Sequence, residues 1–240
     1  MFTHSEISKI LFLDIETARN TQYFKKLTPA MQEMWKHKSQ FIKTENEDDT
    51  PEQKYYERAA IYAEFGRVVC ISIGFVHFKK NEEGIEEGTI HLKSFCSDNE
   101  KQILEDFRQL LNEKFKDWKL CAHNGKEFDF PYLCRRFLIN QIAIPYSLNI
   151  QGKKPWEISH LDTMELWKFG DYKSYTKLEL LCNLFDIPTP KDDIDGSEVG
   201  TVFWEEKNYT RLSTYCEKDV VATIQVLLKY SLLELAKVKE

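Results

Sequence analysis

Ile10-Leu11-Phe12-Leu13-Asp14-Ile15-Glu16-Thr17 is the stretch on which the fold turns. Four consecutive apolar residues run into charge, the pattern of a short buried strand that ends at a rim. On extended chain, residues two apart point to one side, so Asp14 and Glu16 present both carboxylates on one face. Alone the pair is a weak signal, because 39 acids in 240 residues give acid-x-acid by chance about six times. Position adds weight, since ligand sites of α/β proteins form at such strand ends. A solvated strand end fits the same residues.

Outward from this strand the chain alternates between strand and helix patterns. An irregular helical stretch carries Met31, Met34, Trp35 and Phe41, followed by an acidic loop over Thr44–Gln53. The next helix is predicted over Tyr55–Glu64 with Gly66 as its stop. Val68–Phe78 and Gly88–Phe95 read as a hairpin across the loop Lys79–Glu87. Ser97 and Glu100 form a capping-box pattern for a helix to about Phe115. Trp118–His123 reads as a strand, and Pro131 suits the first turn of a helix to about Asn140. Capping-box pairs recur at Asp162 with Glu165 and Thr176 with Glu179, and a long helix runs from about Thr210 to Ala236. No linker divides this pattern, so the expectation is one α/β domain over residues 1–240 with a helical insertion at about 21–62.

Composition narrows the function. With 42% hydrophobic and 13% aromatic residues the chain can bury a core, and wholesale disorder is excluded. A net charge of −6, from 33 Lys+Arg and 39 Asp+Glu, argues against coating duplex DNA through bulk positive charge. The first residues lack a basic and apolar leader, and no apolar run reaches the roughly 20 residues of a membrane span. The six cysteines are widely spaced with no C-x-x-C pair, which suits reduced thiols in a cytoplasmic protein with no membrane attachment.

Two further acidic clusters join the first. His123-Asn124-Gly125-Lys126-Glu127-Phe128-Asp129 carries an acid from a strand end, through a glycine turn, to a helix start. There Asp129 fits a helix N-cap as well as a ligand. Tyr215 and Asp219 stand four apart on the last helix and so share a face. Asp14, Glu16, Asp129 and Asp219 are thus four acids on three elements, each able to face one cleft. Four converging carboxylates need a compensating cation, and oxygen-only donors favour Mg²⁺ or Mn²⁺. Such a site supports phosphodiester cleavage between two divalent ions about 3.5–4 Å apart.

Leu13-Asp14-Ile15-Glu16-Thr17, Asn124-Gly125-x-x-Phe128-Asp129-x-Pro131-Tyr132-Leu133 and Tyr215-Cys216-x-x-Asp219-Val220 resemble the three exonuclease motifs of the DEDD superfamily. The tyrosine four before the last aspartate marks the DEDDy branch, similar to the exonuclease domain of family B DNA polymerases. Tyr56–Gly66 and Asp195-Gly196-Ser197 resemble the stand-alone bacterial group related to that domain. The resemblance implies a ribonuclease H-like (DnaQ-like) α/β fold, with a mixed central sheet flanked by helices. It implies metal-dependent 3′→5′ removal of nucleotides from single-stranded 3′ ends. Asp14 would touch both ions, Glu16 and Asp219 would complete one site, Asp129 would hold the other through water, and Tyr215 would orient the attacking water. Thr17, Asn124 and Phe128 would hold the terminal nucleotide, though Phe128 fits the core equally.

The chain is too short to include a polymerase. An exoribonuclease of the same mechanism and a non-catalytic nucleic-acid-binding module are the alternatives to a DNA exonuclease. Residues 151–177 interleave Lys153, Lys154, Lys168, Lys173 and Lys177 with Trp156, Trp167, Phe169, Tyr172 and Tyr175. That composition suits a single strand, whose phosphates meet lysines while bases stack on rings. A core of aromatics under solvated lysines fits it too.

Overall fold

Alternation along the first strand sorts its side chains between two cores. β1 (Ile10–Arg19) sends Leu11, Leu13 and Ile15 into one apolar cluster, and Ile10 and Phe12 into another. The computed structural model describes every residue except 45, 47, 172–174, 189–193 and 240. The strand does not stop at Leu13, so Asp14 and Glu16 lie within it rather than past its end. The reason is its partner β2 (Gly66–Lys80), which pairs antiparallel along the whole stretch, with Asp14 opposite Ser72, Glu16 opposite Cys70 and Arg19 opposite Gly66. Backbone groups that stay paired can carry polar side chains through a sheet.

The remaining strands are β3 (Glu86–Cys96), β4 (Lys119–Ala122), β5 (Leu161–Asp162) and β6 (Lys237–Val238), giving the six-stranded order β5-β4-β1-β2-β3-β6. β1 pairs parallel with β4, and so do β4 with β5 and β3 with β6, while β1–β2 and β2–β3 are antiparallel. The β2–β3 hairpin is longer than its apolar pattern, because Asn81 Oδ1 accepts the N–H of Glu83 and of Ile85 and closes a tight turn.

Nine helices attend the sheet among the described residues. They are α1 (His4–Ile7), α2 (Pro29–Ser39), α3 (Pro51–Arg58), α4 (Glu100–Lys114), α5 (Asp129–Ile139), α6 (Thr163–Lys168), α7 (Leu178–Leu184), α8 (Val199–Thr201) and α9 (Tyr209–Tyr230), with a π turn at Val202–Glu206 after α8. α4 and α5 cover the Leu11/Leu13 face through Phe107, Leu111, Phe130 and Phe137. α9 covers the other through Val220, Ile224, Leu227 and Leu228, all fully buried, at about 1.5–3 kcal/mol each. No helix among the described residues is long and apolar enough to cross a membrane.

Several helix ends differ from expectation. α3 starts at Pro51, not Tyr55, because Thr50 forms a capping box with Gln53, so part of the predicted acidic loop is helical. Asn99, not Ser97, caps α4, which releases Glu100 for a buried ion pair with Arg136. α7 takes no side-chain cap from Thr176, and α9 ends at Tyr230. The segment between β1 and β2 builds its own small core of Phe24, Leu27, Trp35, Ile42, Tyr55, Ala59 and Phe65, with Trp35 Nε1 donating to the Pro51 carbonyl at 2.7 Å.

Candidate active site

Asp14 and Glu16 point from β1 to the face that α9 covers, where α9 supplies Cys216 and Asp219. One ligand atom from each of Asp14, Glu16 and Cys216 lies within 4.8 Å of the others. The Cys216 thiol donates to the backbone carbonyl and to Oδ2 of Asp14, both at 3.4 Å. Just past Glu16 the pairing register with β2 slips, so that Thr17 faces Val68 and Val69 is an extra residue. Such a bulge bends the strand and re-aims its side chains.

Asp129 comes to the site at the start of α5, just after the turn that follows β4, and bonds the Ile15 backbone. Asn124 there adopts left-handed backbone at φ 62°. The next residue must be glycine, because a Cβ on Gly125 would lie 2.4 Å from that of Ala122. The turn is pinned by buried Asp162, whose carboxylate accepts from the N–H of Asn124 (2.9 Å) and Lys126 (3.1 Å) as well as Met164 (2.9 Å) and Glu165 (3.2 Å). His123 is fixed between the Thr163 hydroxyl and the Thr176 carbonyl, each at 2.9 Å, a packing role rather than a ligand. Asp129 is the first residue inside α5, and the N-cap position falls to Phe128, which makes no side-chain cap bond.

The four acids feel one another. Desolvation pushes the Asp14 carboxyl well above its usual range, and Cys216, Asp219, Glu16 and Asp129 add to the shift. Glu16 is raised well above its usual range by burial and then by Cys216, Asp219 and Asp129. Asp129 is raised to about 7 by burial, against the N–H groups of Asp129 and Ile15 that favour its ionised form, with Asp162 and Asp219 adding repulsion. These are the directions expected of carboxyls withdrawn from water and set beside one another. Their oxygens suit a hard divalent ion. The one soft donor, Cys216, spends its S–H on Asp14.

Tyr215 is buried with Val199, Val202, Phe203 and Leu212. Burial, then Glu16, Asp219, Asp14 and Asp195, raise its phenol far above the usual range. Thr17 hydrogen-bonds the Tyr132 phenol, which itself donates to the Ala60 carbonyl at 2.8 Å. Phe128 packs against the α4/α5 core and Tyr132. Asn124 Oδ1 is buried with no hydrogen-bond partner.

Two contributors escaped the sequence reading. Cys216 had a signal, since it stands three before Asp219 on the same helical face. Asp162 read only as a cap, and nothing local reveals its bond to Asn124, 38 positions away.

A family profile described as "Predicted 3'-5' exonuclease related to the exonuclease domain of PolB" matches residues 61–238. Asp129, Tyr215 and Asp219 lie inside that match, whereas Asp14 and Glu16 precede it. Among solved structures, the chain is similar to the family B DNA polymerase from the hyperthermophilic archaeon Pyrobaculum calidifontis, at 16% identity and a TM-score of 0.52. The likeness covers 93% of this chain and 24% of the polymerase chain, and it shows the shared fold.

Proposed function

We propose that this chain, which belongs to the family of predicted 3′→5′ exonucleases related to the exonuclease domain of PolB, is a single-domain enzyme. It hydrolyses phosphodiester bonds at the 3′ end of single-stranded DNA, with two divalent ions, Mg²⁺ or Mn²⁺. The observation that carries the reading is that Asp14 and Glu16 on β1 bring ligand atoms within 4.8 Å of each other and of Cys216 on α9, with Asp129 of α5 and Asp219 of α9 acting on the same carboxylates.

Asp14 and Glu16 with Asp219 would hold one ion, and Asp14 with Asp129 the other. Bound ions of this kind acidify a water and neutralise charge on the scissile phosphate. The chain's own residues do the positioning. Tyr215 stays a neutral phenol among carboxylates, so it acts as a hydrogen-bond partner that orients the attacking water, not as a base. The unpartnered Asn124 Oδ1 is an acceptor reserved for a hydroxyl or amino group of the terminal nucleotide. Leaving such a group unmet in the closed site would cost about 1–3 kcal/mol. Thr17 and Phe128 shape the pocket through Tyr132 and the α4/α5 core.

The test is incubation with 5′-labelled single-stranded DNA and Mg²⁺ or Mn²⁺. A ladder shortened from the 3′ end, absent with Asp14→Ala, is the expected result, and no degradation with either ion refutes the reading. The same assay on RNA of matched sequence decides the sugar preference.

A further inference from the structure

Cations and acids are not evenly mixed over the rest of the surface. One cavity, of about 840 Å³ beside the β1–β2 insertion, is charge-balanced among the described residues: Arg19, Lys43 and Arg58 face Asp49, Glu57 and Glu205. Two smaller cavities differ. One, of about 350 Å³, runs along the outer side of α5 and is lined by Lys126, Arg135 and Lys153 over an apolar floor that includes Pro131, Leu138 and Ile150. No carboxylate lines it among the described residues, although the Lys126 ammonium also meets Glu165 at 2.6 Å. The second, of about 470 Å³, shares Lys153 and adds Lys116 and Lys119 against one acid, Asp117. Ser147, in its wall, has a buried Oγ with no hydrogen-bond partner.

Lys153 lines both, so the two cavities adjoin there and together make a basic groove. Its first cation, Lys126, lies on the same turn that delivers Asp129, and its last, Lys116 and Lys119, lie at the opposite end of β4. Two large rings stand open nearby: Tyr146, 75% exposed, lines the second cavity, and Trp156, 71% exposed, follows Pro155 of the first, with the Lys154 ammonium 5.1 Å from its ring centre. A row of cations over apolar floor, with free rings beside it, meets the needs of a flexible strand: phosphates on cations, bases on apolar or aromatic surface. A duplex hides its base faces and has no use for the rings. Burial separates the aromatics of this region: Trp167 stacks on Tyr230 and is structural, while Trp156 is exposed.

We propose that the groove from Lys126 through Arg135 and Lys153 to Lys116 and Lys119 binds single-stranded nucleic acid upstream of the terminal nucleotide. The direction of the strand rests on the exonuclease reading; the groove's binding of a single strand does not. It lets a chain of net charge −6 engage a polyanion locally.

The experiment measures fluorescence anisotropy of 5′-labelled oligothymidylate of 15 nucleotides in EDTA, with ladder formation in Mn²⁺ scored separately. The triple variant K116E/R135E/K153E changes only exposed side chains. It should weaken binding at least tenfold and flatten the dependence of log K on log salt by about 2, from about 0.7 per lost phosphate contact. K116Q/R135Q/K153Q should give a smaller loss in the same direction, and Trp156→Ala a further loss of about fivefold or more. The control K43E/R58E, at the balanced cavity, should bind as wild type. Unchanged binding by the triple variant, equal weakening by the control, or no binding by wild type overturns the groove. Groove-dependent binding without any ladder would leave the groove standing and refute the exonuclease reading instead.

Discussion

Glu100 and Glu16 are both buried carboxylates beside the sheet, and their surroundings could hardly differ more. Glu100, at the start of α4, receives the Arg136 guanidinium through Nε at 2.8 Å and Nη2 at 2.5 Å, the Val68 N–H at 2.7 Å and the Asn140 amide at 3.1 Å. Its charge is answered within the fold, and the answer ties α4, α5 and β2 together. Glu16 faces Asp14, Asp219, Asp129 and a thiol, and its carboxyl is driven up well beyond the ordinary range. Burying a charge without a partner costs several kcal/mol. A fold that neutralises Glu100 from within and raises the carboxyls of Asp14, Glu16 and Asp129 by burial and by their neighbours has built two different electrostatic environments beside one sheet.

Asp14→Asn should lower hydrolysis by at least ~10³-fold, because the ion-dependent stabilisation of the reaction is worth several kcal/mol. The same change should raise the melting temperature of metal-free protein, since one repelling charge is gone. A drop in both would mean that Asp14 is a structural acid like Glu100.

Arg136→Met is the reciprocal test. It strands the Glu100 charge and should cost about 3–5 kcal/mol of stability by denaturant titration, with turnover per folded molecule nearly unchanged. Adding Glu100→Leu should recover much of the loss, because the pair can be replaced together more cheaply than broken.

Acidity and metal separate the two groups next. The unfolded chain titrates Asp129 near its ordinary 3.8, whereas the metal-free fold holds the carboxyl near 7, so the fold binds that proton more tightly. Its stabilising contribution is therefore present at low pH, falls as pH rises from about 4, and is gone above about 7. Saturating Mn²⁺ should remove this slope. The ion's stabilisation should be small at pH 5 and reach about 2.7 kcal/mol at pH 8 for an ion at 100 times its dissociation constant. Thermal melts at both pH values, with and without Mn²⁺, check this; equal shifts at the two values would contradict it.

The smallest effect belongs to Tyr215. Tyr215→Phe removes one oxygen and should slow hydrolysis about 10- to 100-fold, with Mn²⁺ stabilisation retained. Unchanged turnover would assign Tyr215 to the apolar cluster with Val199 and Phe203 alone.

Much of the fold was legible because period and punctuation are local signals. Apolar alternation marked the β2–β3 hairpin, and Pro131 marked the first turn of α5. Errors fell where a distant partner decided the outcome. β1 runs on past Leu13 because β2 pairs with it, not because of its own residues. Glu100 looked like half of a capping box, and Arg136 from another helix claimed it. Tyr172 and Lys173, from the stretch of interleaved lysines and aromatics, lie outside the described residues.

The sequence by itself determined which residues could do the chemistry: the acids at 14, 16, 129 and 219 with Tyr215 stand in recognisable local patterns. Strand period, helix period and turn residues are set by neighbours a few positions away, so those patterns can be read without coordinates. Only the tertiary structure decided that Cys216 touches Asp14, that Asp162 pins the Asn124 turn, and that Lys153 lines one cavity with Arg135 and another with Lys116 while Arg19 and Lys43 face acids. Charge coupling and cavity shape depend on distance in space. Residues as far apart in the chain as 14 and 216 carry no local trace of it.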